Sequence, residues 1–247
     1  MKLRILLLIF CLSSMLFAAP EVTVPTVNLS LSAPESPQQL VTVLNVIIVL
    51  TILALAPSIV FVATSFLRLL VVFSFLRQAL GTTTMPPNTI LVTFALILTF
   101  FIMEPTATKA YNEGIKPYLA EQIGYEEAFN RASRPFKDFM LKNTREKDLA
   151  LFYRIRDLPN PKTVEEVPLT IIVPAFIISE LKTAFEIGFL IYLPFLVIDM
   201  VISSVLMSMG MMMLPPVMIS MPFKLLIFVL VDGWNLLVHK LVESYLL

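Results

Sequence analysis

The sequence predicts an all-α, membrane-associated protein in which two broken hydrophobic helical hairpins flank a small charged helical domain. Hydrophobic residues make up 57% of the 247 residues, a larger share than soluble domains contain. Long apolar runs occur at 41–80, 90–103, 187–205 and 223–238. Gly and Pro interrupt this pattern at two places, where a continuous helix has to break.

Composition excludes several classes of function. The formal net charge is +0, so no basic field favours a nucleic-acid partner. Cys11 and His239 are the only residues of their types, which excludes Cys–His catalysis, His/Cys zinc sites and a disulfide within the chain. The phosphate-binding Gly-x4-Gly-Lys-Ser/Thr pattern is missing as well. We therefore expect no enzyme, no catalytic residue, no metal and no cofactor.

Residues 1–19 have the pattern of a signal peptide. Two basic residues precede an apolar run at 5–17, and Ala18 and Ala19 offer a small-residue cleavage site. The alternative, an uncleaved membrane helix, needs a longer run to cross about 30 Å of hydrocarbon. Residues 20–40 contain several prolines and are interpreted as a flexible leader outside the inner membrane.

The first hydrophobic hairpin is predicted at 41–108. Its first run, 41–80, is too long for one spanning helix and has no evident loop that would divide it into two. Arg68 and Arg77 interrupt the second half of this run. Their spacing puts them on opposite helix faces, so each needs a separate partner or water.

The spacing of Gly and Pro in the turn of this hairpin recurs later in the chain. Gly81 is followed five residues on by Pro86–Pro87, and Gly210 is followed five residues on by Pro215 and Pro216. The pattern indicates two hairpins of similar build and a weak internal repeat. Chance is the alternative, because Gly and Pro are common at turns.

A charged periplasmic helical domain is predicted at 109–168. Residues 109–166 hold 11 of the 18 Lys and Arg and 10 of the 18 Asp and Glu, which is typical of a solvated surface. Asn143 and Glu146 have the spacing of a capping box for a helix that continues to Arg156. With the leader outside, this domain also lies outside the inner membrane.

The second hydrophobic hairpin, 169–247, carries buried charges. Ser179, Lys182, Thr183 and Glu186 form a polar stripe on its first helix. The stripe suits a proton path, the wall of a wet pore or a contact between subunits. We expect the charges of both hairpins to be satisfied mostly across subunits or by water, so that neutral substitutions impair assembly; these residues are Arg68, Glu180, Lys182, Glu186, Asp199, Lys224 and Asp232.

The segment 207–222 breaks the second hairpin with a methionine-rich loop. Gly210 frees the backbone, whereas Pro215 and Pro216 withhold N–H donors, so these three residues are interpreted as hinges. The loop between them carries Met211, Met212 and Met213. The alternative is that these flexible side chains pack a core.

Several long motifs resemble the FliP family, the export-gate subunits of the bacterial flagellar type III secretion system. The likeness covers about 41–246, and its most specific parts are TSFLRLLVVFSFLRQALG, LTFFIMEP, PAFIISELKTAFEIGF, SMGMMMLPP and FKLLIFVLVDGW. The leader and the segment FMLKNTREKDLALF are more similar to the flagellar branch than to the related subunit of virulence-type secretion systems.

The resemblance implies a subunit of a pentamer that assembles with FliQ and FliR, next to FlhB and FlhA, in the inner membrane of the flagellar basal body. Such a complex conducts unfolded flagellar proteins and contacts membrane lipid, with much of the apparently transmembrane sequence packed above the bilayer. The family's methionine loop is regarded as a gasket, a role that falls on Met211, Met212 and Met213.

Two other classes of function compete with this one. A secondary transporter would also have repeated broken hairpins and intramembrane charges, but it would place polar ligands at the breaks. Here the breaks carry Thr82–Met85 and Met211–Met213, which suit a seal better. An intramembrane hydrolase needs a nucleophile with a base, and His239 is solitary.

We predict cleavage of the signal peptide near Ala18 or Ala19, because the basic start, the short apolar run and the small residues agree. N-terminal sequencing of protein purified from membranes measures this directly. A protein that retains Met1 would contradict the topology that places the leader outside.

Overall fold

The computed structural model describes residues 37–82, 84–159, 161, 163, 166–211 and 214–246. The predicted signal peptide and most of the predicted leader lie outside these residues. The chain divides into two compact units, Met1–Leu50 and Thr51–Leu247. Within the first unit, the described residues form the beginning of one helix; all other elements lie in the second unit.

All secondary structure within the described ranges is helical, which confirms the predicted fold class. The elements are α1 (Pro37–Val62), α2 (Phe66–Ala79), α3 (Asn88–Ala110), a π-helical turn (Tyr111–Ile115), α4 (Lys116–Leu119), α5 (Tyr125–Lys142), α6 (Glu146–Ile155), α7 (Leu169–Ser208), α8 (Pro216–Leu230) and α9 (Gly233–Leu246).

The long apolar run 41–80 is two helices, because the chain breaks between α1 and α2. The break consists of Ala63, Thr64 and Ser65. The Thr64 hydroxyl accepts a hydrogen bond from the Phe66 amide at 3.4 Å, so a side chain replaces the backbone partner that a helix would supply. This break needs neither Gly nor Pro, which explains why the sequence shows no evident loop here.

Helix α2 lies at the centre of the core, where it packs against α3 and α7. One of its faces is fully buried and carries Leu69, Val72 and Phe73. Phe73 stacks on Phe94 of α3 with ring centroids 5.1 Å apart, and Trp234 of α9 packs edge-on against Phe94 at 6.1 Å. The amino-terminal part of α9 is thereby fixed to the first hairpin by aromatic packing.

The two Gly–Pro–Pro turns have the same geometry at their glycines. Gly81 and Gly210 both have positive φ, +78° and +73°. In each case the glycine amide donates to the carbonyl three residues back, and the next amide donates to the carbonyl five residues back. This pair of bonds is the Schellman arrangement that ends a helix, and it requires the left-handed backbone that glycine adopts freely. The recurring sequence pattern therefore corresponds to the same type of helix ending at Gly81 and at Gly210.

The predicted capping box at the start of α6 is wrong. The Asn143 side chain donates to the Phe139 carbonyl at 2.9 Å and so closes α5 instead. The Arg145 amide, at the N-cap of α6, donates to the Ser179 hydroxyl of α7 at 3.0 Å, and that hydroxyl donates to Asp148 at 2.6 Å. A hydroxyl from another helix thus completes the cap, which no local pattern reveals.

Two described helical stretches are long and apolar enough to cross a membrane, Asn88–Leu119 and Leu169–Ser208, and α8 with α9 forms a third if a pair bent by 64° is one broken span. Helix α7 has 40 residues, which is about 60 Å at 1.5 Å per residue. A hydrocarbon core of about 30 Å accommodates roughly half of that length. One half of α7 is therefore expected to lie beyond the bilayer core.

We predict that Gly114→Ala destabilises the packing of the π-helical turn on α5. A Cβ at Gly114 would lie 2.6 Å from the Ala132 backbone nitrogen and 2.8 Å from the Ala128 carbonyl oxygen, and backbone atoms cannot move aside locally. Overpacking of this kind costs about 1–3 kcal/mol. Gly124→Ala is the matched control, because nothing lies within 4 Å of its Cβ position. Thermal unfolding of the detergent-purified protein measures both; an equal effect would contradict the prediction.

Candidate functional site

The methionine-rich loop joins α7 to α8 at an exposed position. Met211 is described and exposed, whereas Met212 and Met213 lie outside the described residues. Among the described residues, nothing lies within 4 Å of the position that a Cβ would take at Gly210. No described side chain therefore packs against this end of the loop.

Exposed methionines continue on both sides of the loop. Met207 is 62% exposed, Met209 66% and Met218 64%. Side chains this exposed contribute little to the core of a single chain. Met207, Met209 and Met218 therefore form an exposed surface of flexible apolar side chains around the loop.

The predicted hinges lie at the two ends of the loop. Gly210 follows the last turn of α7, and Pro215 occupies the N-cap of α8, with Pro216 as the first helical residue. Proline at the first helical position costs no hydrogen bond and presets the backbone. The loop is therefore bounded by a helix-ending glycine on one side and by two prolines on the other.

A buried ion pair joins α7 to α8 behind the loop. The Lys224 ammonium lies 2.6 Å from the Asp199 carboxylate, and Lys224 itself is almost fully buried. The Ser220 hydroxyl donates to the other oxygen of the same carboxylate. Burial strengthens such a pair and also makes the loss of either partner costly. The hairpin that carries the loop is therefore held together by charge as well as by apolar contact.

A second buried pair joins three helices. The Arg68 guanidinium of α2 makes a bidentate contact with Glu180 of α7 and donates to the Ser244 hydroxyl of α9 at 2.9 Å. The Tyr245 hydroxyl donates to the same carboxylate, and the Tyr245 ring lies 3.9 Å from the guanidinium carbon. Every charged group of this network has a partner, so it fixes α9 to the first hairpin.

Arg145, from the charged segment, forms hydrogen bonds with the polar stripe of α7. The Arg145 guanidinium lies 3.2 Å from the Thr183 hydroxyl and 2.6 Å from the Glu186 carboxylate, and its amide bonds to Ser179. Lys182 makes no part of this contact; it is exposed and lines a groove of about 490 Å³, whose other lining residues are Ile178, Leu181, Phe185, Glu186 and Phe189. Three of the four stripe residues therefore position α6.

Asp232 is exposed in the single chain, where water or another subunit can reach it. It has a positive φ of +50° at the end of α8, a conformation that aspartate tolerates better than most residues. Gly233 follows it, and a Cβ at Gly233 would lie 2.3 Å from the Phe228 ring. Position 233 therefore has to be glycine, because a side chain there would clash with Phe228. The preceding residue, Asp232, adopts the left-handed backbone conformation instead.

The expectation that these charges find their partners mostly across subunits or in water is wrong for the two buried pairs. Arg68 pairs with Glu180, and Asp199 with Lys224, within one chain. The folding of α7 against α2 and α8 brings together residues that are far apart in sequence. Glu186 also has a partner in the chain, although it is exposed.

The chemistry of the described residues matches this structural role. They contain no group of three or more His, Cys, Asp or Glu side chains placed to hold a metal ion. Their buried charges are paired with one another, and their surface is largely apolar. The fold and site thus define a helical, membrane-associated protein whose buried charged groups are paired within the chain.

The chain belongs to the FliP family, whose family model matches residues 49–241. It is 50% identical over 217 residues to the flagellar biosynthetic protein FliP of Bacillus subtilis, covering 88% of this chain and 98% of that protein. The protein of the same name from Caulobacter vibrioides is 55% identical over 203 residues, 82% and 76% of the two chains. That from Pectobacterium carotovorum is 46% identical over 232 residues, 94% and 90% of the two chains.

We predict that Glu180→Ala is far more damaging than Glu186→Ala. The first change leaves the Arg68 guanidinium buried without a carboxylate, at a cost of about 3–5 kcal/mol. Glu186 is 55% exposed, and exposed ion pairs contribute about 0–1 kcal/mol. Thermal unfolding and purification yield of the two variants measure the difference. Equal losses would mean that the Arg68 network does not hold the helices together.

Proposed function

We propose that the chain is a pore-forming core subunit of the flagellar type III protein export gate in the bacterial inner membrane. Several copies assemble with FliQ and FliR, next to FlhB and FlhA, and conduct unfolded flagellar proteins. The charged segment lies on the periplasmic side. Membership of a family of flagellar biosynthetic proteins supports a place in the export apparatus.

The observation that carries the proposal is an exposed methionine loop on a fixed base. Met209 and Met211 are exposed at the end of α7, whereas the hairpin below them is held by the pair of Asp199 and Lys224. A loop that moves on a rigid support suits a gate. The rigid hairpin of α7 and α8 is needed as well as the loop, because a loop on a mobile hairpin could not return to one closed position.

The proposed gasket is formed by Met211, Met212 and Met213 from several copies. A channel for unfolded proteins must admit an extended chain and still retain ions when idle. Unbranched thioether side chains fill an irregular opening and then deform around a passing chain. A narrow apolar constriction also resists wetting, which stops ions without a charged plug.

The apolar surface supports assembly into a multi-subunit complex. On α7, Phe185, Phe189 and Leu190 are exposed, whereas Glu180 and Glu186 of the same helix are paired within the chain. Exposed apolar area of this kind is covered by lipid or by other proteins. Neighbouring subunits and lipid are therefore the proposed occupants of these faces.

Two alternatives differ from this proposal in their predictions. The equivalent subunit of a virulence-type secretion system would have the same gate but other substrates, and the flagellar relatives favour the flagellar branch. A secondary transporter would bind its solute at polar groups in the helix breaks. The two Gly–Pro–Pro turns, at 81–87 and 210–216, contain no charged residue, which favours a seal at these two places.

We predict that replacing Met211, Met212 and Met213 together with alanine leaves the gate assembled but permeable to small ions. Shorter side chains widen the constriction, whereas the ion pairs of Arg68 with Glu180 and of Asp199 with Lys224 are unchanged. The measurement is ion conductance, or growth in ion-sensitive conditions, of cells that express the complete gate.

Met200→Ala is the matched control, because Met200 is also exposed, at 62%, but lies on α7 outside the loop. It should leak no more than the wild type. A triple variant that assembles normally and does not leak would show that the methionines are ordinary packing residues.

A further inference from the structure

The two glycines with the shared helix ending differ in their surroundings. Both have positive φ and the same pair of backbone hydrogen bonds. Nothing lies within 4 Å of a Cβ placed at Gly210. A Cβ at Gly81, by contrast, would lie 3.3 Å from Val217 Cγ1, 3.8 Å from Met221 Cβ and 3.9 Å from Lys224 Nζ. The first turn therefore touches α8, whereas the glycine of the second turn meets no other described residue at its Cβ position.

The contact falls at the base of the methionine loop. Val217 is the second residue of α8, which begins at Pro216 immediately after the loop. Lys224, further along the same face of α8, holds Asp199 of α7. The end of α2, the base of the loop and the ion pair behind it thus meet at Gly81.

We propose that Gly81 is a positioning residue of the gate, because its missing side chain lets the first turn support the start of α8. This inference rests on the proposed function of the loop. The turn fixes where α8 begins and hence where the stiff end of the loop is anchored. A Cβ at position 81 would press on the Val217 side chain at the start of α8, which would have to give way by a few tenths of an ångström. The loops of neighbouring copies would then meet less closely and would leak ions.

Gly81→Ala and Gly210→Ala form a matched pair for the test. Both replace a glycine of positive φ at the same position of a Schellman motif, so both carry the same backbone strain. Only Gly81→Ala adds a contact with α8. The measurement is ion conductance of cells that express the complete gate, normalised to the amount of purified complex. We expect a several-fold increase for Gly81→Ala and a wild-type value for Gly210→Ala.

A rescue variant and a second pair make the test independent of folding. Adding Val217→Ala to Gly81→Ala removes the Cγ1 atom that the new Cβ meets, and it should restore the seal. If the alanine variant does not assemble, Gly81→Asn and Gly210→Asn are compared, because asparagine adopts positive φ more readily. Equal leakage within a pair, or no rescue by Val217→Ala, would overturn the proposal.

The alanine triple variant of the methionines separates this inference from the proposed function. If the triple variant leaks and Gly81→Ala does not, the loop is a seal and Gly81 does not position it. If neither variant leaks although both assemble, the proposed function of the loop fails as well. Leakage by both, with the rescue, supports the two together.

Discussion

The buried contact between Arg68 and Glu180 is the interaction on which the rest of the structure depends. It joins α2 to α7, and through Ser244 and Tyr245 it also holds α9. Neither charge is tolerable alone at this depth, because an unpaired buried ion costs several kcal/mol. The first and second hairpins therefore have to come together in one arrangement, in which the ends of α2 and α7 are placed for the turns that follow.

In the proposed gate, polar and apolar residues have different roles. Lys224 and Asp199 form an ion pair between α7 and α8, whereas Met207, Met209, Met211 and Met218 around the loop are exposed. Paired buried charges resist rearrangement, and flexible apolar side chains adapt to whatever passes. This combination allows one short segment to move while its supports remain in place.

Much of the fold, but less of the site, could be predicted from the sequence. Apolar runs and Gly–Pro turns are local signals, so the helical class, the break after Gly210 and the family motifs were accessible. The pair of Asp199 and Lys224 depends on how two helices fold against each other, which spacing along one helix does not reveal. The capping of α6 by Ser179 was missed for a similar reason, because that hydroxyl comes from another helix. The break at Thr64 was missed because it depends on a local hydroxyl contact and not on Gly or Pro.

The most direct test of the central claim is the mass of the intact complex that contains this chain, measured after gentle purification from membranes. A pore subunit predicts several copies of the chain in one particle, together with the other export-gate proteins. Identical copies are needed because a single methionine loop cannot close around a channel. A particle that contains one copy of the chain and no other protein, from cells with functional flagella, would contradict the account.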